Sequence, residues 1–309
     1  MVAAALSVSQ VTTLHSSFAD DVRAYADAGL AGIGIWETKL EGGDDAEAAA
    51  LLAGSGLRSA AAVPLVPSIL PLPLLPGPED PAERVEAYCR SLERLAPFEP
   101  SSVVCLTGSG QGRRPAEARA TVVAGLKTIA AEAQRLGLRI GIEPYQRSER
   151  APWSIVSSIP ETVELIHEAG DPPALGIQFD VWHLWNSPTL EQDVAREIDR
   201  IVGVHVCDVR SPTRSWADRT LPGDGIADVG RILRLLDQAG WDGLYDVEVF
   251  SDDGSFGTAH PDSLWAQPAA DVLERVRASF ERTWTEARMT AAASSVAVRP
   301  RPPVSKEWR

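Results

Sequence analysis

Four polar residues stand at or near the ends of four successive apolar segments of the chain. They are Glu143 in GIEPY, Asp180 in QFDVWH, His205 in GVHVCD and Glu248 in DVEVF. A charged side chain inside an apolar strand costs on the order of several kcal/mol unless it is paired or bound to a metal. Three carboxylates converging there would repel one another, so the pattern predicts one divalent cation held by these four residues.

The donor set indicates which metal to expect. Three carboxylates and one imidazole offer mostly hard oxygen atoms, which favours Mn²⁺, Mg²⁺ or Co²⁺ over a thiolate type of zinc site. We expect one Mn²⁺ ion, with Mg²⁺, Co²⁺ and Zn²⁺ as the alternatives. Taken singly, each acidic residue could instead cap a helix or pair with a surface base. The four aligned segments together make the metal site the better interpretation.

The apolar segments have the arrangement expected of strands in a parallel barrel. Eight of them alternate with segments of helical periodicity, which is typical of βα units around a parallel sheet. The predicted strands are ALSVSQV near residue 4, GIGIWE at 32–37, SAAAVPL at 59–65, SVVCLTG at 102–108, RIGIEPY at 139–145, LGIQFDVWH at 175–183, IVGVHVCDV at 201–209 and GLYDVEVF at 243–250.

This order predicts an α/β fold, a single-domain (β/α)₈ TIM barrel, whose active site would lie where the strands end. Successive strand ends would then bring the four candidate ligands to one point. An open doubly wound sheet is the alternative, but it usually has fewer strands and often a Gly-rich turn after the first one. The sequence contains no GxGxxG motif, which favours the barrel.

One domain accounts for the length of 309 residues. We assign residues 1–290 to the barrel, closed by an amphipathic helix near 268–289. Residues 291–309 would form a C-terminal tail that is flexible or docks on another subunit. The Pro- and Leu-rich segment VPSILPLPLLPGPEDP excludes helix and is either a stiff apolar loop over a pocket mouth or an ordinary surface loop.

Five short motifs follow one another along the chain: IGIEPY, FDVWH, HVCD, LPGDG and VEVF. In this order they resemble the sugar phosphate isomerase/epimerase family, the xylose-isomerase-like barrels that include ketose 3-epimerases, inosose dehydratases and hydroxypyruvate isomerases. The resemblance implies the same four metal ligands, with His183 of FDVWH and Arg219 of RTLPGDG as substrate-binding residues. It also implies a homo-oligomer, either a dimer or a tetramer.

The chemistry implied is proton transfer next to a carbonyl. A metal that chelates a carbonyl and its neighbouring hydroxyl acidifies the carbon-bound proton between them. Glu143 and Glu248 would remove and return that proton, while His183 and Arg219 would stabilise the enediolate. We expect an isomerase or epimerase of a keto-sugar or related polyol. One alternative is a lyase using the same intermediate, by dehydration of a keto-cyclitol or aglycone release from a 3-keto-glycoside. Another is a non-catalytic ligand-binding barrel.

Further residues near the strand ends are candidate substrate contacts. Asp208 would orient the ligands or be a solvated loop residue, and Glu37 would touch substrate or form a structural salt bridge. Aromatic faces stack on sugars and ring systems, so a mouth rich in tryptophan favours a cyclic or bulky substrate. The tryptophans concerned, which could otherwise fill gaps between barrel and helices, are Trp36, Trp182, Trp185 and Trp216.

Composition and charge exclude several classes of partner. A net charge of −14 would repel a phosphate backbone, so a small carbohydrate-like substrate is expected and nucleic acid is not. The five histidines also argue against the multi-zinc cluster of related endonucleases for abasic DNA. We expect no membrane contact and a cytoplasmic location, because no apolar run of about 18 residues and no signal peptide is found. The three cysteines form no CxxC pair, which argues against a zinc knot or a disulfide scaffold.

Overall fold

Eight parallel strands close into a barrel in the computed structural model, which describes residues 4–72, 75, 77–146 and 153–297, with side chains as far as residue 289. The barrel strands are β1 (Leu6–Ser9), β2 (Gly32–Trp36), β3 (Arg58–Val63), β4 (Ser102–Cys105), β5 (Ile140–Ile142), β6 (Leu175–Asp180), β7 (Ile201–Val206) and β10 (Tyr245–Val247). Two short strands, β8 (Asp208–Val209) and β9 (Arg219–Thr220), pair antiparallel outside the barrel. The predicted TIM barrel and all eight predicted strands are confirmed.

Helices connect the strands in the expected alternation. They are α1 (Phe18–Asp27), α2 (Asp45–Ser55), α3 (Pro81–Leu95), α4 (Pro115–Leu136), α5 (Ile159–Glu168), α6 (Val181–Leu184), α7 (Leu190–Glu197), α8 (Val229–Ala239) and α9 (Ala269–Ala297), with 3₁₀ turns at Glu37–Leu40, Ala96–Phe98 and Ile198–Arg200. Helix α2 shows how the sequence sets the ends. The Asp44 carboxylate accepts hydrogen bonds from the first amides of the helix, and Gly56 ends it at a φ of 80°.

The core lies between the barrel and this ring of helices. Each helix turns an apolar stripe inward, and the residues on these stripes are fully buried against the strands. Examples from five helices are Tyr25, Leu92, Ile129, Ile166 and Leu236. This packing fixes the strands and therefore the positions at which they end.

The strand register brings the candidate ligands together. Going around the barrel, β5, β6, β7 and β10 are neighbours. Asp180 at the end of β6 pairs with His205 on β7, which in turn pairs with Asp246 on β10. Glu143 and Glu248 directly follow β5 and β10, so the four candidate ligands leave four adjacent strands on one side of the mouth.

The Pro-rich segment after β3 lies along this mouth. No helix forms in its described part before α3 begins at Pro81, and Pro67 and Leu75 line the cavity above the strand ends. The buried Arg84 side chain fastens the segment through Nε to the Ser68 carbonyl oxygen and through Nη2 to Ser68 Oγ, at 3.0 and 2.7 Å. The loop-over-mouth interpretation is therefore the better one, although residues 73, 74 and 76 lie outside the described residues.

The last helix differs from the prediction. Helix α9 continues to Ala297, so the predicted boundary at residue 290 falls inside a helix. The sequence that follows Met289 is rich in alanine, which is the best helix former, so the helix can continue past the predicted end. The rest of the predicted tail, residues 298–309, lies outside the described residues. Among the helices that the structure describes, none is both long and apolar enough to span a membrane.

Candidate metal centre and active site

Strand geometry delivers the four candidate ligands to the mouth in nearly buried positions. The Glu143 amide donates to the Cys105 carbonyl oxygen at 3.1 Å, and the Glu248 amide to that of Val206 at 3.0 Å, so both residues still follow the sheet. Glu143 and Glu248 are each 5% exposed, His205 is 2% exposed and Asp180 is fully buried. Charged groups buried to this degree require partners.

Three of the four residues form one compact group. Glu143, Asp180 and His205 each offer a ligand atom, and these atoms lie within 4.8 Å of one another. Glu248 lies beside the group, because its Oε2 is 3.5 Å from His205 Nδ1, while Glu143 Oε1 is 3.4 Å from the same nitrogen. The two glutamates therefore flank one face of His205.

The free atoms of this group fit a divalent cation. Glu143 Oε1 and both ring nitrogens of His205 are buried without a hydrogen-bond partner in the described part of the chain. Burying such atoms unpaired is costly, and one cation would satisfy Glu143, Asp180 and His205 together. Carboxylate oxygens with a single imidazole suit Mn²⁺, Mg²⁺, Co²⁺ or Zn²⁺.

Arg219 provides a fixed positive charge at the edge of the group. Its Nη1 donates to Asp180 Oδ2 at 3.1 Å and to Glu248 Oε2 at 3.0 Å. The guanidinium lies over the rings of Trp182 and Phe250, at 5.1 and 4.6 Å from their centroids. Burial lowers the pKa of Arg219, but the charges of Asp180 and Glu248 outweigh it and leave the pKa above its ordinary value.

Burial dominates the protonation of the carboxylates. Desolvation raises the pKa of Glu143 to about 7, and it also raises the pKa of Asp180 despite the nearby Arg219. For His205, burial lowers the pKa, whereas the charges of Glu248 and Glu143 raise it to a net value of about 10. A metal bound to His205 would therefore have to displace a proton.

A further carboxylate, which sequence reasoning missed, lies behind His205. Asp246 Oδ2 is 3.8 Å from His205 Nε2, and Ser7 Oγ donates to Asp246 Oδ1 at 2.8 Å. Burial raises the pKa of Asp246 to about 7. Asp246 precedes Glu248 by two residues, and side chains two apart on a strand share a face. The alternation in DVEVF could therefore have identified Asp246 from the sequence.

His183, a candidate substrate-binding residue, lines the cavity. Its ring is 3.7 Å from that of Tyr145, and both ring nitrogens are buried without a partner in the described structure. Burial lowers the pKa of His183 well below its ordinary value, and the positive charge of Arg219 lowers it further. The imidazole is therefore neutral near pH 7 and keeps one donor and one acceptor for a substrate.

The mouth opens into a cavity of about 680 Å³ lined mainly by aromatic rings. Of the four candidate tryptophans, Trp36, Trp182 and Trp216 line the cavity, whereas Trp185 packs against the hydrophobic core. Four further aromatic residues of the lining were not predicted: Tyr145, Trp153, Phe250 and Phe256. Tyr145 and Phe250 each stand two residues after a predicted ligand, so the same period of two could have found them.

Two candidate substrate contacts have structural partners instead. Glu37 accepts a hydrogen bond from the Leu65 amide at 2.8 Å and lies 3.5 Å from Arg94, which is the structural pairing considered in the sequence. Asp208 is fully buried and accepts from the amides of Val209, Gly223 and Ala227 at 2.7–2.9 Å. It holds the LPGDG loop in place and is neither solvated nor part of the cavity lining.

The sequence matches the family described as xylose isomerase-like TIM barrel over residues 22–276, and the chain belongs to that family. A search of curated proteins gives no match.

Several solved structures share the fold. A protein of Sinorhizobium meliloti 1021 is 25% identical, with a TM-score of 0.78 over 90% of this chain and 98% of that one. The IolI protein with a bound zinc atom is 16% identical, with a TM-score of 0.73 over 91% and 98%. The 3-keto-D-glucoside 4-epimerase of E. coli is 17% identical, with a TM-score of 0.68 over 89% and 100%.

Proposed function

We propose that the protein is a divalent-metal-dependent isomerase or epimerase of a keto-sugar or related polyol. The observation that carries this proposal is the buried group of Glu143, Asp180 and His205, which adjoins a third carboxylate, Glu248. Glu143 Oε1 and both ring nitrogens of His205 have no hydrogen-bond partner in the described part of the chain. A metal site beside two carboxylates is what proton transfer next to a carbonyl requires. The fold shared with a zinc-bound protein and with a keto-glucoside epimerase supports the same assignment.

Glu143, Asp180 and His205 would hold the metal, with Glu248 as the fourth ligand. Mn²⁺ is the metal we propose, because oxygen donors outnumber nitrogen in this set. When bound, the cation would polarise a substrate carbonyl and acidify the hydrogen on the neighbouring carbon.

The two glutamates would move the proton. Burial raises the pKa of Glu143 to about 7 in the metal-free protein, so this carboxylate is a stronger base than an exposed one. Glu248 reaches the same face of His205 from a different strand, and Arg219 holds its Oε2 at 3.0 Å. Removal by one carboxylate and return by the other would invert the carbon, whereas return to the neighbouring carbon would isomerise the sugar.

Arg219 and His183 would bind the substrate oxygen on which negative charge develops. Arg219 is permanently charged and is fixed by two carboxylates, so it needs no reorganisation during the reaction. His183 is neutral near pH 7 and can donate one hydrogen bond to the same oxygen. The surrounding aromatic rings would keep water from protonating the intermediate.

A lyase is the second candidate, and the aromatic lining of the cavity favours it. Trp36, Trp153 and Trp216 line the cavity, and their faces can pack against the aglycone of a glycoside. In a 3-keto-glycoside, a glutamate would take the proton from carbon 2 as the bond from carbon 1 to the aglycone oxygen breaks. A double bond would form between these carbons, and the aglycone oxygen would take up a proton.

Hydrogen exchange in D₂O tests the proposal. The Mn²⁺-loaded protein is incubated with keto-sugars, keto-cyclitols and 3-keto-glycosides, and deuterium in the recovered substrate and any released aglycone are measured by NMR. We expect deuterium next to the carbonyl of at least one substrate, and its loss in Glu143→Gln and Glu248→Gln.

Glu191→Gln is the matched control, because Glu191 is exposed and pairs with Arg231 on the surface. It should exchange at the wild-type rate. Exchange that persists in both active-site variants would overturn the acid and base assignment. Bound metal without exchange in any substrate would instead indicate a ligand-binding barrel.

A further inference from the structure

Six aromatic rings form a wall around the cavity above the group of Glu143, Asp180 and His205. They come from β2 and from the loops that follow β5, β8 and β10, and they are Trp36, Tyr145, Trp153, Trp216, Phe250 and Phe256. Loops far apart in sequence thus contribute rings to one surface.

Each ring of this wall contacts a neighbouring ring around the mouth of the barrel. Tyr145 and Trp153 are stacked, with centroids 5.7 Å apart and planes at 17°. Trp153 lies 5.3 Å from Trp216, which lies 5.6 Å from Phe250 and 5.2 Å from Phe256. Trp216 therefore joins the rings of the β5 loop to those of the β10 loop.

This wall offers aromatic faces and very few polar atoms. Charged and imidazole groups in the described lining are confined to the base, where Glu143, His183, His205, Arg219 and Glu248 lie. Trp36 Nε1 donates to Ser9 Oγ at 3.1 Å, so its own polar atom is already used. Apart from the Tyr145 hydroxyl and the indole N–H groups of Trp153 and Trp216, the wall has no polar atom to replace the water lost by hydroxyl groups placed against it.

We propose that the substrate carries an aromatic ring, joined to the sugar-like part that the metal group binds, as in an aryl glycoside. This inference rests on the proposed function for the part of the substrate that carries the carbonyl group. It adds the chemical class of the rest of the substrate. The sugar-like part occupies the polar base, and the aromatic ring packs against Trp153 and Trp216. Planar rings gain both apolar burial and ring-to-ring contact there.

Matched pairs of ligands test this proposal by binding alone. Methyl and phenyl β-glycosides of glucose and galactose are titrated into the Mn²⁺-loaded full chain by calorimetry. We expect the phenyl member of at least one pair to bind about tenfold tighter or better, as burial of a ring against aromatic faces should give. Equal affinity within both pairs, or binding of no phenyl glycoside, overturns the proposal.

Replacing single tryptophans by leucine shows where the phenyl group binds. Trp216→Leu and Trp153→Leu should lose most of the phenyl preference, since each removes one ring from the wall. Trp185→Leu is the matched control, because Trp185 packs on the core and does not line the cavity. A preference that survives in both wall variants, or that disappears equally in the control, would contradict the placement of the ring.

The binding series separates this inference from the proposed function. A phenyl preference with no deuterium exchange in any carbonyl substrate would support the aromatic subsite and defeat the proposed reaction. Deuterium exchange in keto-sugars with no phenyl preference would defeat the aromatic subsite and leave the reaction standing.

Discussion

Asp246 lies directly behind His205, with its Oδ2 atom 3.8 Å from Nε2. The other ring nitrogen, Nδ1, lies 3.4 Å from Glu143 Oε1 on the opposite side of the ring. A carboxylate behind a metal-binding histidine orients the ring and makes it a stronger ligand. With a metal bound at Nδ1, as proposed, Asp246 would act as a positioning residue for His205.

Loss of the Asp246 carboxylate should weaken metal binding. We expect Asp246→Asn to lower the affinity for Mn²⁺ by about 10- to 100-fold, because partners of this kind have effects of that size. Calorimetric titration of the metal-free protein measures the change. Ser7→Ala, which keeps the Asp246 carboxylate and removes the hydrogen bonds from Ser7 Oγ to Asp246 Oδ1 and to the Tyr245 carbonyl oxygen, should cost less. An unchanged affinity in Asp246→Asn would show that Asp246 does not orient His205.

Gly34 supplies the space that Asp246 occupies. A Cβ atom added at Gly34 would clash with Asp246 Oδ2 and approach Ser9 Cα to 2.9 Å. We expect Gly34→Ala to lower the free energy of unfolding by about 1–3 kcal/mol and to weaken Mn²⁺ binding as the carboxylate shifts. Urea denaturation and metal titration measure the two effects.

Gly54→Ala is the control for that substitution. Gly54 is on the exposed side of α2 with nothing within 4 Å of a new Cβ, so alanine there should leave metal binding unchanged. It should raise the free energy of unfolding by up to about 1 kcal/mol, because alanine is the better helix former. Similar metal affinities in the two alanine variants would refute the role given to Gly34.

Most of the fold could be predicted because local patterns determine it. Each barrel strand is a short apolar run, and several helices, such as α3 and α8, show the 3.6-residue period, so both are visible without tertiary information. The end of α9 could not be placed, because alanine and serine permit a helix to continue without requiring it. Its predicted end near residue 289 is wrong for that reason.

The site was predictable where a residue type conflicts with its surroundings. Glu143, Asp180, His205 and Glu248 stand out because apolar strands rarely end in such groups. The partners of a side chain are set by packing across the barrel, which no local pattern reveals. Nothing in the sequence separates Trp182, which lines the cavity, from Trp185, three residues later, which does not.

Removing the charge of Arg219 should destabilise the metal-free protein more than the metal-bound protein. Arg219→Gln leaves Asp180 and Glu248 buried without their cation, and breaking a buried pair in this way costs about 3–5 kcal/mol. A metal bound to the same carboxylates would replace part of that charge. We therefore expect a smaller loss with Mn²⁺ than with a chelator, and by linkage a tighter Mn²⁺ affinity in the variant.

Urea denaturation in both conditions measures the difference, and Arg231→Gln is the control. Arg231 pairs with the exposed Glu191 on the surface, so its loss should cost less than about 1 kcal/mol with or without metal. An equal loss for Arg219→Gln in chelator and in Mn²⁺ would show that the cation does not bind these carboxylates.

Metal affinity should rise with pH in two stages. The pKa of His205 is about 10 and that of Glu143 about 7, both above their ordinary values, so at lower pH each group holds a proton that the metal must displace. Between pH 7 and pH 10, only His205 must release a proton, and the logarithm of the Mn²⁺ association constant should rise by about one per pH unit. Below pH 7, Glu143 adds a second proton and the slope should approach about two.

Competition with a chelator of known affinity at each pH measures the slope. Glu143→Gln should bind more weakly and lose the steeper second stage below pH 7. A slope of zero in the wild-type protein would exclude His205 as a ligand.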